Sequence, residues 1–588
     1  MTIIEHYEML YRELHCTDKV LEVKMAEISD ILSCSVRNAK IIIRKLEALQ
    51  WIEWVPGKGR GNCSTIKLLK DMDSIITEKA KALLSPNSID SSLQFLMNQH
   101  VNKSVQQEFI DWVFRSYLNE ATYAEENEIA KLQFPSYRPL PRLDPAKVCR
   151  RSENHMMRHI FSPLVVFKED ANEFHPHLAH HWKHNQDYTK WTFYLQKGVR
   201  FHNGKEMTAD DVCYSFLRHR DGSSPYQWIV QNLSAVNSLH RYAVEFLFHK
   251  PCHIFLHLAS CLGGSIVPAS NDNAEEKQIG TGPYRIVENN EEKLKLKVFD
   301  DYFLRRPFLD EINLYFLPAL YDNHTVLDSH ISNQEMNFYH YPYIGRTIQS
   351  FEEYTFLDRG SKLLTLNLQK GLLAEDRMLR KAIYHFLAPE QIIKDLGGTR
   401  YKKASRLVEK FKNEDIFTSR EVGRSALASS KYMGETLTLM SYQGAGNETD
   451  ASWIQKKLLE EGINLHILIC SYEQLQELPL EESDFLLGEH LTYENDLYTY
   501  LAAFNGNHSL LRYHLPQNVV FRLPEMSENE RRTIRRLCEL EDELNDEYGH
   551  IHLYKIKQFA FYPSYVKDVH FNSLGWIDFT KIWYEKED

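Results

Sequence analysis

Arg37, Asn38, Lys40 and Arg44 stand close together in "SVRNAKIIIRKLEAL". Arginine, lysine and asparagine are the side chains that reach phosphate oxygens and the edges of bases in a groove. Shortly after, "PGKGRGN" sets Lys58, Arg60 and Asn62 among three glycines, a turn that can carry cations up to a phosphate chain. From Ser35 to Lys67 there are seven basic residues against two acidic ones, in a chain whose formal net charge is −12. A molecule of that overall charge is not coated with nucleic acid, so any such contact is local.

These side chains need a scaffold, and the flanking residues supply one. Ile3, Tyr7, Leu10, Tyr11 and Leu14 share one helical face, and "KMAEISDIL" brings together Met25, Ile28, Ile31 and Leu32. After the turn "SCS", Ser35 is placed to cap a third helix, on which Val36, Ala39, Ile43, Leu46 and Leu49 form the expected buried stripe. Arg37, Asn38, Lys40 and Arg44 are left facing outward. "WIEWV" and "STIKL" alternate as two short strands around the basic turn. Helix, helix, recognition helix and basic hairpin make a winged helix-turn-helix over residues 1–70, with double-stranded DNA as its partner. The DNA-contacting set is then Ser35, Arg37, Asn38, Lys40, Arg44, Lys58, Arg60 and Asn62. The plainer alternative is a small helical domain with solvated basic residues.

Residues 71–131 keep a helical pattern and predict a connector or a dimerisation element, so a homodimer is possible, although no heptad persists. From residue 132 the texture becomes mixed α/β. "WTFYLQKGVRFHNGKEMTADDVCYSFLRHR" reads as a strand from Trp191 to Gln196, turns at Lys197-Gly198 and Asn203-Gly204, and a helix capped near Thr208. At 588 residues the chain needs more than one core.

In "HPHLAHHWKH", His177 with His181 and His180 with His184 have i, i+4 spacing, which on a helix would pair ligands for a metal. Surface histidines are the simpler reading, and neither a metal nor a cofactor is expected. No P-loop, G-x-G-x-x-G, G-x-S-x-G or H-E-x-x-H occurs, so an enzyme is not expected. The nine cysteines lack a C-x-x-C pair and fit a reducing compartment. "MTIIEHYEMLYRELHC" has acids where an export signal has cations, and no run of about 18 apolar residues occurs. A cytoplasmic protein without a membrane partner is expected.

Two resemblances sharpen this. Cys34-Ser35, the helix from Arg37 to Arg44, Trp51 with Trp54, and Gly59-Arg60-Gly61 follow the order found in the DNA-binding domain of the SgrR-like transcriptional regulators, which this stretch resembles. The run carried by Trp191, Phe193, Leu195, Gly198, Val199, Phe201, Gly204, Thr208, Ala209, Asp211, Val212 and Ser215 resembles the signature of the family 5 extracellular solute-binding proteins. "RLDP" at Arg142, "HPHLAHHW" at His175, "IGTGPYRI" at Ile279, "YFLRRPFLDEI" at Tyr302, "LLTLNLQ" at Leu363 and "GWIDFTKIW" at Gly575 continue that series.

The second resemblance implies a two-lobed α/β domain of the class II periplasmic-binding-protein type over residues 132–588. Lobe I would take 132–359 and 507–588, and lobe II 360–506, with a small molecule enclosed between them. The ligand-contacting residues expected on the second lobe are Tyr442 and Asp484, and the ligand a sugar, a sugar phosphate, a short peptide or a similar metabolite. Together the resemblances imply a ligand-responsive transcriptional regulator. The alternative is an ABC-transporter-type solute-binding protein without a DNA-binding role.

Overall fold

The computed structural model describes residues 2–14, 19–57, 63–84, 89–99, 101–113, 129–140, 143–220, 224–269, 278–318, 339–342, 352–411, 417–524 and 527–585. It divides into two units, Met1–Glu128 with Pro135–Pro139 and Tyr315–Met336, and Ile129–Phe134 with Leu140–Leu314 and Asn337–Asp588.

In the first unit, α1 (Ile3–Leu14) buries Tyr7 and Leu10. A strand that the sequence reading does not contain, β1 (Val20–Val23), comes next, followed by α2 (Met25–Ile31) and α3 (Val36–Ala48). β2 (Ile52–Val55) and β3 (Ser64–Leu68) pair antiparallel as expected, and β1 joins the free edge of β3. The helices cover this small sheet through Tyr7, Ile28, Ala39, Ile43, Leu46, Ile52 and Ile66. Tyr7 also donates its hydroxyl to the Lys70 carbonyl at 2.5 Å, tying the first helix to the end of the hairpin.

The stripe on α3 differs from the expected one. Ala39, Ile42, Ile43 and Leu46 are buried, whereas Val36 and Leu49 are exposed, at 44% and 46%. Val36 opens the helix and Leu49 is its C-cap, so neither reaches the core that the middle two turns cover. Beyond the hairpin lie α4 (Met72–Leu83), α5 (Ile89–Met97) and α6 (Lys103–Val113). Ile75 of α4 enters the same apolar cluster as Tyr7 and Ile43, so α4 continues the N-terminal core.

The second unit contains two lobes. In the first, β7 (Ala179–His184), β8 (Lys190–Leu195), β9 (Leu233–His240) and β10 (Ala243–Phe248) form an antiparallel sheet in the order β7-β8-β10-β9. Trp191, Phe193 and Leu195 all point into its core. Phe193 meets Phe246 edge-on at 5.6 Å. The turns at Gly198 and Gly204 have φ of +75° and +84°, values that side chains rarely adopt. The helix Ala209–Leu217 starts in a capping box, in which the Asp211 carboxylate accepts the Thr208 N–H at 2.8 Å. The "TADDV" run is therefore a helix start. A second antiparallel sheet has the order β11-β12-β13-β4, from β4 (Lys131–Ser136), β11 (Tyr284–Asn289), β12 (Lys293–Val298) and β13 (Glu311–Phe316).

The other lobe is built on a mixed sheet. β18 (Thr436–Tyr442) runs parallel to β19 (Asn464–Cys470) and to β20 (Phe485–His490). β16 (Ser361–Leu366) lies antiparallel between β20 and β21 (His550–Tyr562). Residues 507–588, expected to return to the first lobe, are thus divided. Ile551, Leu553 and Tyr554 pack with Leu364, Ile383, Ile454 and Leu487 in the second lobe's core. Phe579 instead contacts Phe134 and His155 of the first, at 5.6 and 5.0 Å between rings.

Candidate nucleic-acid interface and interlobe site

On α3, Ser35, Arg37, Asn38, Lys40 and Arg44 are all exposed. The Ser35 hydroxyl is occupied as N-cap, accepting the Asn38 N–H at 3.3 Å. Arg37, Lys40 and Arg44 follow one another at steps of three and four residues, which aligns them along one face. None of the three is in an ion pair among the described residues, so their charges stay available to an anion. Ile41 is 46% exposed beside them. An apolar group in that position suits contact with a thymine methyl. Lys58, Arg60 and Asn62 lie outside the described residues.

The histidine run takes a different form from the one considered. His175 is in β6 (Glu173–Pro176), and His180, His181 and His184 are in β7, so the i, i+4 argument for a helix face does not apply. His181 stacks on Tyr194 at 6.0 Å and His184 on Tyr188 at 4.1 Å. His177 is held by the Pro163 carbonyl through Nδ1 at 3.1 Å, and burial lowers its pKa to about 4.

Between the lobes, the start of the helix Arg151–Ile160 meets the carboxyl ends of the parallel strands. The Arg151 guanidinium pairs with Asp358 at 2.6 Å and with Glu489 at 3.3 Å, and donates to the Leu574 carbonyl at 2.7 Å. Burial works against this charge, but the two carboxylates outweigh it and hold the guanidinium firmly protonated. Two turns further along, Arg158 pairs with Glu494, which also accepts from Ser573 Oγ at 2.7 Å. Asn507 donates its side-chain amide to the Ser224 carbonyl at 3.0 Å and to Gln227 Oε1 at 3.1 Å.

Arg150 has different neighbours. Its guanidinium lies over the Tyr442 ring at 5.2 Å and the Tyr472 ring at 4.8 Å. No carboxylate pairs with it among the described residues. Among the described residues, the Tyr226 hydroxyl is buried without a hydrogen-bond partner. An unpaired buried hydroxyl costs free energy, on the order of 1–3 kcal/mol, unless a ligand or water meets it.

Tyr442 is therefore at the carboxyl end of β18, where open α/β sheets receive ligands, and its hydroxyl accepts the Glu489 N–H at 3.3 Å. Asp484 is not beside it. It immediately precedes β20, and its carboxylate accepts the Thr438 N–H at 2.7 Å near the opposite end of the parallel strands. That geometry makes Asp484 a clasp between strands and separates it from Tyr442. The residues that sequence reasoning missed here, Arg150, Arg151, Glu489 and Asp358, come from distant segments, and no local spacing connects them.

A second buried polar group underlies the sheet. Lys362 donates to the Ala445 carbonyl at 2.8 Å and Asn447 Oδ1 at 2.7 Å, and lies 3.8 Å from Asp450. Arg400 also pairs with Asp450, at 2.6 Å, and the Tyr554 hydroxyl donates to the same carboxylate. Burial pulls the Lys362 pKa down, and Asp450 opposes it.

Comparison with known proteins places both units. The family model described as bacterial extracellular solute-binding proteins, family 5, middle, matches residues 173–509. The model described as sugar transport-related sRNA regulator N-term matches residues 2–115. An uncharacterized Bacillus subtilis protein, YhjP, is 28% identical over the whole of both chains. The HTH-type transcriptional regulator SgrR of Yersinia enterocolitica is 25% identical, covering 96% of this chain and 95% of its own. Among solved structures, the periplasmic binding protein DppA of Helicobacter pylori, in complex with the peptide STSA, is similar with a TM-score of 0.66. It is 20% identical and covers 79% of this chain and 100% of its own. AppA of Bacillus subtilis, bound to a nonapeptide, gives 0.63 at 18% identity, covering 78% and 99%. At such identity these structures speak for the fold alone. The chain belongs to the bacterial extracellular solute-binding proteins of family 5, and carries ahead of that domain an N-terminal domain of the SgrR type.

Proposed function

We propose that the protein is a cytoplasmic transcriptional regulator that binds promoter DNA through residues 1–70 and senses a small metabolite between the lobes of its C-terminal domain. The observation that carries this reading is the unpaired basic face of α3, with Arg37, Lys40 and Arg44 in line. A solute-binding protein with no DNA to meet has no use for it. The full-length similarity to a protein named as a transcriptional regulator supports the same reading. The two resemblance-based groups are binding modules, and the function is one of binding, not catalysis.

The ligand is a polar metabolite, with a sugar, sugar phosphate or short peptide as the candidate classes. Among the described residues Arg150 has no carboxylate partner and can meet an anionic group there, whereas Arg151, Arg158, Lys362 and Arg400 each already have a carboxylate. Tyr442 and Tyr472 supply ring faces beside it.

Fluorescence anisotropy tests both halves. The full chain is titrated against DNA from upstream of its own gene and against a scrambled duplex, at two salt concentrations, with and without a small-molecule cell extract. Specific, salt-sensitive binding that the extract alters is the expected result. Absence of binding at low salt overturns the regulator reading and leaves a plain solute-binding protein.

A further inference from the structure

We propose that Glu541, His550 and His552 form a buried site for a borderline divalent transition-metal ion, zinc foremost. No metal was expected from the sequence, and the histidine run that raised the question lies elsewhere. The signal that could have pointed here is "HIH" at the start of β21. Two residues apart on a strand, both side chains project from the same face. The helix Glu530–Asp546 lies against that face and supplies Glu541.

One ligand atom from each of the three residues lies within 4.8 Å of the others. His552 Nε2 is 3.7 Å from Glu541 Oε1, and the two imidazole rings sit edge to face at 4.9 Å. A tetrahedral zinc with bonds near ~2.0–2.2 Å draws such atoms together by small side-chain rotations.

The independent observation is a set of orphaned nitrogens. His550 is 1% exposed, yet among the described residues neither of its ring nitrogens has a hydrogen-bond partner, and Nε2 of His552 has none either. Buried polar atoms in native proteins are paired. The other ring nitrogen of His552, Nδ1, is fixed by Ser361 Oγ at 3.0 Å, which is how a metal-binding imidazole is held in one tautomer and orientation.

The carboxylate is oriented as well. Glu541 Oε2 accepts the Tyr500 O–H at 2.7 Å, and Oε1 accepts the Leu407 N–H at 2.7 Å, leaving Oε1 a lone pair for an ion. Arg406 approaches Oε2 to 3.3 Å, and Asp542 also pairs with that guanidinium, so the cation is balanced without Glu541 Oε1. Two imidazoles and one carboxylate select a zinc-like ion over calcium or magnesium, which require more oxygen ligands. Bound there, the ion fastens the 530–546 helix to the sheet.

The test uses full-length protein without a histidine tag, stripped with chelator and titrated with Zn²⁺ and with Co²⁺. The expected result is one equivalent of Zn²⁺ taken from a competing chromophoric chelator, visible d–d absorption from Co²⁺, and a rise in thermal midpoint with Zn²⁺. His550→Gln and His552→Gln lose all three, while a His180→Ala, His181→Ala double variant on the exposed strand keeps them. Parent protein that takes up no metal overturns the proposal, as does uptake that follows the surface pair. If the glutamine variants do not fold, X-ray absorption of the zinc-loaded parent decides: scattering from two imidazoles supports the site, and an all-oxygen shell overturns it.

Discussion

Arg37, Lys40 and Arg44 are aligned by helix geometry, and among the described residues none of them is in an ion pair. What they touch depends on depth. Arg37 is in the first turn of α3, beside exposed Val36, where a recognition helix meets base edges. Arg44 lies two turns further along. Arg37→Ala should therefore cost about 1–3 kcal/mol on the native site and little on a scrambled one, relaxing selectivity. Arg44→Ala should weaken both duplexes alike and lower the slope of log affinity against log salt by about one unit. Anisotropy titrations of each variant on both duplexes make the comparison. Equal losses for the two variants on both sequences would remove the distinction between reader and anchor.

At the level of elements, much was legible where a local rule applies. The capping box at Thr208, the glycines at 198 and 204 and the alternation of Trp191, Phe193 and Leu195 each follow from a short-range constraint, and each is in place. Ser35 could be read as an N-cap for the same reason. The missed strand β1 is only four residues long, "VLEV", and becomes a strand because the edge of β3 is available to it. The histidines of β6 and β7 fit helical spacing by coincidence, since a few residues in a row satisfy more than one period. Sites built from segments far apart, such as Arg151 with Asp358 and Glu489, leave no local trace.

Packing elements over polar side chains also makes stability depend on pH. His219 and His514 are buried and His177 and His202 half-buried, each among different elements, and desolvation lowers each pKa to about 4. In the unfolded chain each returns to about 6.5. Between these values the unfolded state binds more protons than the folded one, so stability falls as pH drops from about 6.5 toward 4, and these groups contribute no slope above that window. Denaturant midpoints of the full chain should therefore be lower near pH 5 than near neutrality by an amount that exceeds a single histidine's share. A midpoint unchanged between the two would mean that these rings are solvated in the folded protein.

For the molecule as a whole, a ligand acts on DNA binding only through a difference between states that both sites sense. The lobes supply two such states if their contacts can be broken without unfolding either one. Arg151 is the natural point of control: it joins a first-lobe helix to Glu489 of the other lobe and to Asp358, whose N–H donates to Ile556 of β21, and is well buried, at 10% side-chain exposure. Arg151→Met leaves two carboxylates facing each other without their cation. Breaking a buried pair in this way costs about 3–5 kcal/mol, close to the ~5.5 kcal/mol that carries a population from 99:1 to 1:99. The variant should have a larger radius of gyration by small-angle scattering than the parent, with an unchanged far-ultraviolet dichroism spectrum. If lobe closure is what reaches the DNA, its promoter affinity should move opposite to the effect of the active extract, by roughly 5–150-fold, the usual range of a coupling between sites. An opened domain with unchanged promoter affinity would separate ligand capture from DNA binding, and coupling would then have to arise from ligand contacts rather than from closure.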